Sequence, residues 1–197
     1  MSNLKTLRAD GLLLLTAIIW GFAFVAQRAG MDHIGPFTYN AVRFALGGLS
    51  LMPLLLLPIN KRKKAAPASE IIKFGVLAGI ALFLGSSLQQ IGLQFTTAGN
   101  AGFITGLYVI FVPIIALFWR NKTGWFTWTG ALLAVGGMYF LSITKDFTIN
   151  PGDLYVLVSA VFFAAHVLII GWLSPRFNTV RLSIVQFFAT AAFSLIF

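Results

Sequence analysis

The chain of 197 residues has no cysteine and few charged residues of either sign. Without cysteine, disulfide bonds and thiol chemistry are excluded. Charged residues make up 10% of the chain, whereas soluble globular domains carry about 25%. Together with the 58% of hydrophobic residues, this scarcity of charge excludes a water-soluble globular domain and indicates a membrane protein.

Acidic residues are the scarcest charged class, since five Asp and Glu stand against fourteen Lys and Arg. None of the five lies well inside an apolar segment. Acid–base catalysis needs paired titratable groups in one site. We therefore expect neither an enzyme nor a cofactor or metal site. The same scarcity of acidic residues argues against a transport mechanism that is coupled to protons through carboxylates. The acidic residues are Asp10, Asp32, Glu70, Asp146 and Asp153.

Apolar segments of about 20 residues cover nearly the whole chain. At a rise of about 1.5 Å per residue, each matches the ~30 Å hydrocarbon core of a bilayer. No segment is left over for a soluble domain. The sequence predicts an all-α fold, a polytopic transmembrane helix bundle with six or seven spans. We place these spans at 11–28, 36–57, 71–93, 99–119, 124–143, 153–173 and 180–197.

The net charge of +9 would suit a nucleic-acid partner, but its distribution indicates membrane topology instead. If the spans alternate, one side receives only Arg28 and Lys145. An excess of basic residues marks the cytoplasmic side. We therefore predict a multi-pass protein of the plasma membrane (a bacterial inner membrane) with a cytoplasmic N-terminus and no nucleic-acid partner. The residues of the basic side are Lys5, Arg8, Lys61, Arg62, Lys63, Lys64, Lys73, Arg120, Lys122, Arg176 and Arg181.

The second part of the chain begins by repeating the first at an offset of 143 residues, without a gap. If five spans separate the copies, the odd number turns the second copy upside down. We predict a complete five-helix repeat at 1–148 and the incomplete start of an inverted repeat at 149–197. Inverted repeats are typical of transporters, with the substrate site between the halves. Matching pairs are Asp10 and Asp153, Leu14 and Leu157, Val42 and Val185, and Phe44 and Phe187.

Five segments in this order and spacing resemble a known family. They are ADGLLLLTAIIWGFAFVAQRAG at 9–30, PFTYNAVRFALGGL at 36–49, GLQFTTAGNAGFITGLYVIFVPIIALF at 92–118, WTGALLAVGGMYFL at 128–141 and GDLYVLVSAVFFAAHVL at 152–168. Together they resemble the EamA-type branch of the drug/metabolite transporter superfamily, over essentially the whole chain.

The resemblance implies ten helices in two inverted halves and the export or import of small metabolites such as amino acids, sugars and drugs. By that comparison the chain looks like the first seven helices of a ten-helix protein. One position departs from the family pattern, because Asn121 stands where a Glu often follows the fourth helix. That departure concerns a cytoplasmic loop and not the fold.

Arg43 is the basic residue that lies well inside a span, seven residues after Pro36 and about 10 Å along the helix. Placing a guanidinium at such a depth in the bilayer costs ~2.5–3.5 kcal/mol by insertion measurements, so a favourable interaction must offset this free energy. It either holds a substrate carboxylate or phosphate in a bidentate fork, snorkels outward, or pairs with another helix.

Amide side chains follow one face of the outer half of the third span. Ser87, Gln90 and Gln94 are spaced as i, i+3 and i+7, with Ser86 and Gln89 beside them, and Asn100 opens the fourth span. Amides both donate and accept hydrogen bonds, which suits a zwitterionic or polyhydroxy substrate. Hydrogen bonds between helices explain the same pattern.

Four other residues within spans are candidates for function. Trp20 and Tyr108 lie mid-span and either line the pathway or pack in the core. His166 lies deep in the sixth span, where it either relays protons or forms a hydrogen-bonded part of the core. Pro113 is expected to kink the fourth helix, as a candidate hinge.

Glycine pairs predict close helix packing. Gly75-x-x-x-Gly79 and Gly102-x-x-x-Gly106 each allow a neighbouring backbone to approach. We expect the third and fourth helices to pack tightly against each other through these faces.

The sequence therefore predicts a transporter that moves small metabolites across the cytoplasmic membrane by alternating access. Its expected partners are a small-molecule substrate, membrane lipid and a second copy of the chain in a homodimer. A channel-like facilitator and a non-transporting structural subunit are the alternatives. The predicted substrate site consists of Arg43, Gln90, Gln94, Asn100, Trp20 and Tyr108.

Overall fold

A computed structural model describes residues 2–57, 66–117, 124–142 and 150–197, and within them all regular secondary structure is helical. This confirms the all-α fold. The basic run at 61–64, Arg120, Asn121, Lys122 and Lys145 lie outside the described residues. The helices are α1 (Ser2–Gly30), α2 (Pro36–Leu51, continued by a 3₁₀ helix at Met52–Leu56), α3 (Ala68–Gly92), α4 (Ala98–Gly106), α5 (Tyr108–Leu117), α6 (Trp125–Ser142), α7 (Pro151–Leu173) and α8 (Thr179–Ile196).

Six helical segments of the described chain are long and apolar enough to cross a membrane, which confirms a multi-pass membrane protein. They agree with six of the predicted spans to within a few residues. The remaining predicted span forms α6, a helix of 18 residues that is not among the six. The six segments are Ala9–Gly30, Pro36–Leu56, Ala68–Gly92, Ala98–Leu117, Pro151–Leu173 and Thr179–Ile196.

The same five-residue connection joins three pairs of helices, at 31–35, 93–97 and 174–178. The helix that follows is started by a capping residue in two cases: Thr97 Oγ1 accepts from the amide of Asn100 at 3.1 Å, and Asn178 Oδ1 accepts from that of Arg181 at 3.1 Å. Helix α1 ends at Gly30 and α7 ends at Leu173, which lies 143 residues later. Helix α2 begins at Pro36 and α8 begins at Thr179, again 143 residues later. The offset of the sequence repeat is therefore also the offset of the helix boundaries.

The centre of the bundle is α3, which packs mainly against α7 and α8, while α8 also packs against α2. Glycine allows this approach: a Cβ at Gly75 would lie 2.5 Å from a methyl carbon of Val185, and one at Gly79 would lie 2.8 Å from Cβ of Ala189.

The predicted tight packing of the third and fourth helices is wrong, since α3 and α4 touch only marginally. Gly102 instead faces the ring of Phe24 on α1. A glycine pair predicts that a backbone can approach closely, but not which helix approaches it.

The fourth span is interrupted at Leu107, which separates α4 from α5. The amide of Leu107 bonds to the carbonyl oxygen of Ile104 at 3.0 Å, a tightened last turn. Pro113 lies inside α5, six residues after the interruption. The predicted irregularity of this span is present but precedes the proline, and the hinge role of Pro113 stays a prediction.

Candidate functional site

A cavity of about 470 Å³ lies among helices of both sequence copies. Its volume falls in the range of about 300–1,000 Å³ that is usual for small-molecule sites. Five of the lining residues are aromatic. The lining residues are Trp20, Ala23, Phe24 and Gln27 on α1, Arg43 and Phe44 on α2, Leu82 and Gln89 on α3, Thr105 on α4, Tyr108 on α5, and Phe163, His166 and Val167 on α7.

Arg43 points into this cavity and is held by neutral groups. Its Nη1 donates to Oε1 of Gln27, and its Nη2 donates to Oδ1 of the buried Asn40 at 2.9 Å. The guanidinium carbon lies 4.7 Å from the ring centroid of Phe44 and 5.7 Å from that of Tyr39. These contacts fix the plane of the guanidinium, so the outward-snorkelling interpretation does not describe this side chain.

The charge of Arg43 has no acidic counterpart in the described part of the chain. The one ion pair there joins Arg28 to Asp32 at 2.7 Å, at the exposed end of α1. A guanidinium carries five N–H donors, and the two bonds to Gln27 and Asn40 leave the others available. An anionic group in the cavity would supply the missing charge and accept from those donors.

His166 and Gln186 form the matching contact in the second copy. Nε2 of His166 and Oε1 of Gln186 lie 2.9 Å apart, and His166 also lines the cavity. Gln186 stands 143 residues after Arg43, so it occupies the equivalent position. In each copy a polar pair ties the first helix to the second beside the cavity. The proton-relay role of His166 stays a prediction.

The amide face of α3 is arranged differently from the expectation. Gln89 lines the cavity, and its Nε2 donates to Oγ1 of Thr105 at 2.8 Å. Gln90 is buried beside the site, where its Nε2 donates to the backbone oxygen of Gln27 at 3.3 Å. Its Oε1 has no partner among the described residues.

Two of the expected site residues lie away from the cavity. Gln94 is exposed in the 93–97 connection, and Asn100 is half-buried in the first turn of α4; neither is among the lining residues. The reason is that α3 ends at Gly92, so Gln94 no longer follows the helical face that Ser87 and Gln90 define. The structure therefore brings together Arg43, Trp20, Tyr108 and His166, with Gln90 adjacent.

The site predicted from the sequence leaves out Gln27, Gln89 and Thr105, which hold or line the cavity. Gln27 carried a usable signal, since it is an uncharged polar residue inside an apolar span. Gln27 and Arg43 both lie within about two helical turns of the 31–35 connection, on the helices before and after it. Matching residues by their distance from this connection could therefore have paired the two. Nothing local distinguishes Gln89 from Gln90.

A second buried polar contact lies at the start of α7. Asp153 is only 3% exposed and accepts a hydrogen bond from the hydroxyl of Thr96. Asn150, the N-cap of α7, donates to the carbonyl oxygen of Phe95 at 2.8 Å. These bonds attach the 93–97 connection to the second copy, a role that the sequence did not indicate.

Comparison with known proteins places the chain among transporters. The EamA-like transporter family matches residues 7–143. An uncharacterized transporter from Archaeoglobus fulgidus is 38% identical over 188 residues, which are 95% of this chain and 56% of that protein. The uncharacterized transporter YoaV from Bacillus subtilis is 27% identical over 155 residues, 76% of this chain and 52% of that protein.

A protein from Chlamydia muridarum that is named an S-adenosylmethionine/S-adenosylhomocysteine transporter is 31% identical over 107 residues, 54% of this chain and 32% of that protein. The chain spans about half the length of the first curated relatives it matches. No solved structure matches it.

Proposed function

The chain belongs to the EamA-like transporter family, and from this premise we propose that it moves a small organic molecule across the cytoplasmic membrane by alternating access. The observation that carries the proposal is the cavity that α1 to α5 form with α7 around the uncompensated guanidinium of Arg43. A substrate held between the two copies would be exposed to either side as they rock against each other.

Within this proposal, Arg43 binds the substrate, and Trp20 and Tyr108 form the walls of its site. Gln90 is a positioning residue, because it holds the backbone of Gln27, which in turn holds Arg43. Gln94 and Asn100 are left out of the proposed site, since they do not line the cavity.

The proposed orientation follows from the basic residues. With the N-terminus in the cytoplasm and α6 as a seventh span, the 31–35 and 93–97 connections lie outside and the 174–178 connection lies inside. The proposed location is the bacterial inner membrane, and a homodimer remains part of the proposal.

Counterflow in liposomes tests the proposal. The purified chain is reconstituted with an unlabelled compound inside, and uptake of the labelled compound is followed. S-adenosylhomocysteine belongs in the panel because of the Chlamydia muridarum relative. We expect saturable uptake that is stimulated by substrate on the opposite side. Uptake that rises linearly with concentration would favour the channel alternative, and no uptake of any panel compound would favour the structural one.

A further inference from the structure

The geometry points to one class of ligand for this pocket: a small organic monoanion with an apolar or aromatic body, its anionic group on Arg43. An additional ammonium group finds no carboxylate partner among the lining residues that the structure describes. The inference rests on the proposed function, for which it names the substrate class.

The anionic group is indicated by the N–H donors of Arg43 that the bonds to Gln27 and Asn40 leave unused. Gln27 and Asn40 accept from one Nη each and carry no charge, so they orient the guanidinium without neutralising it. A guanidinium held in one plane presents parallel N–H donors, which match the two oxygens of a carboxylate.

The two copies differ in charge at one position, Arg43 in the first and Gln186 in the second, so the pocket offers a positive charge from one copy only. This difference indicates a ligand with one negative charge and no positive charge. Gln186 replaces the arginine in the second copy and is bonded to His166. No acidic side chain is among the lining residues that the structure describes. A ligand ammonium would therefore lose its hydration without gaining a carboxylate partner.

An apolar body is indicated by the walls. Trp20, Phe24, Tyr108 and Phe163 face the space next to Arg43. Two of the polar wall groups bond to protein: Nε2 of Gln89 donates to Thr105 at 2.8 Å, and Nε2 of His166 lies 2.9 Å from Oε1 of Gln186. Because most of the lining side chains are aromatic or aliphatic, an aromatic or branched aliphatic body fits these walls better than a polyhydroxy one.

Three compounds with one phenyl ring and one three-carbon chain separate the possibilities: 3-phenylpropionate, 3-phenyl-1-propanol and phenylalanine. Their binding to the purified chain in detergent is measured by calorimetry. We expect the acid to bind about ten-fold more tightly than either the alcohol or the amino acid, as for a hydrogen bond to a charged group. Equal binding of the alcohol, or tighter binding of phenylalanine, would overturn the inference.

Variants then assign the preference to Arg43. Arg43→Gln is expected to abolish the preference for acid over alcohol, and Arg43→Lys to reduce it, because lysine lacks the planar fork. Arg28→Gln is the matched control, since Arg28 is an arginine outside the pocket that pairs with Asp32, and it should keep the preference. If the Arg43→Gln protein does not accumulate, the measurement on Arg43→Lys takes its place. A ratio of the affinities for acid and alcohol that equals that of the unchanged protein would then overturn the assignment to Arg43.

Flux measurements keep this inference distinct from the transporter proposal. Acid binding without uptake in liposomes would support the ligand class and contradict transport. Saturable uptake of another compound by a chain that does not prefer the acid would support transport and contradict the ligand class.

Discussion

Phe44 and Phe187 occupy equivalent positions in the two sequence copies, and their ring centroids lie 5.6 Å apart. Equivalent residues meet only where the axis that relates the copies passes between them. If such an axis exists, as the predicted inverted repeat requires, it would run between α2 and α8, close to the pocket, which Phe44 also lines. Arg43 and Gln186 precede these two phenylalanines by one residue each, so the charged and neutral versions of one position would then lie near the same axis.

The packing of α8 gives a test of the helix arrangement. Gly75→Ala should lower the thermal stability of the purified protein, because the new methyl group would lie 2.5 Å from Val185. Overpacking of this kind costs about 1–3 kcal/mol. Gly136→Ala is the matched control, since in the described part of the chain a Cβ there meets no atom within 4 Å. Equal melting temperatures of both variants, measured in detergent, would argue against this contact between α3 and α8.

The three similar connections give a test of the inverted repeat. In this cysteine-free chain, single cysteines at His33 and Gln94, both exposed, should react with a membrane-impermeant maleimide added outside the cells. A cysteine at Arg176, in the third connection, should react only after the membrane is opened. Labelling of all three from the same side would contradict the inversion, whatever the absolute orientation.

The contact between Thr96 and Asp153 should stabilise the junction between the copies. Asp153→Ala leaves the buried hydroxyl of Thr96 without its acceptor, at a cost of about 1–3 kcal/mol. Asp153→Asn keeps an acceptor oxygen and should lower the melting temperature much less. Thr96→Val combined with Asp153→Ala should cost less than the sum of the two single changes. Strictly additive losses would show that the two side chains do not interact.

Patterns along the chain predict the helices and their connections well, but not how neighbouring faces pair. The 143-residue repeat already implies that the turn after Gly30 recurs after Leu173, because matched sequence favours matched local structure. The depth of Arg43 within an apolar segment also marks that residue as unusual from the sequence alone. In contrast, Gln89 and Gln90 differ by about 100° around one helix, and only the packing of α3 decides which of them faces the cavity. The partner of Gly75 is likewise set by long-range packing.

The pocket wall gives the last test, in which two aromatic residues of α1 are compared. Trp20 is 53% exposed and lines the cavity, whereas Phe22, two residues later, is 74% exposed and is not among the lining residues. Trp20→Ala should raise the half-saturation concentration for transport about five-fold, as expected for the loss of roughly 1 kcal/mol of aromatic contact. Phe22→Ala should leave it unchanged, because its ring lies where lipid would surround it. Since both variants remove an aromatic ring from the same helix, a general loss of α1 packing would affect them alike, and equal effects would contradict the placement of the substrate beside Trp20.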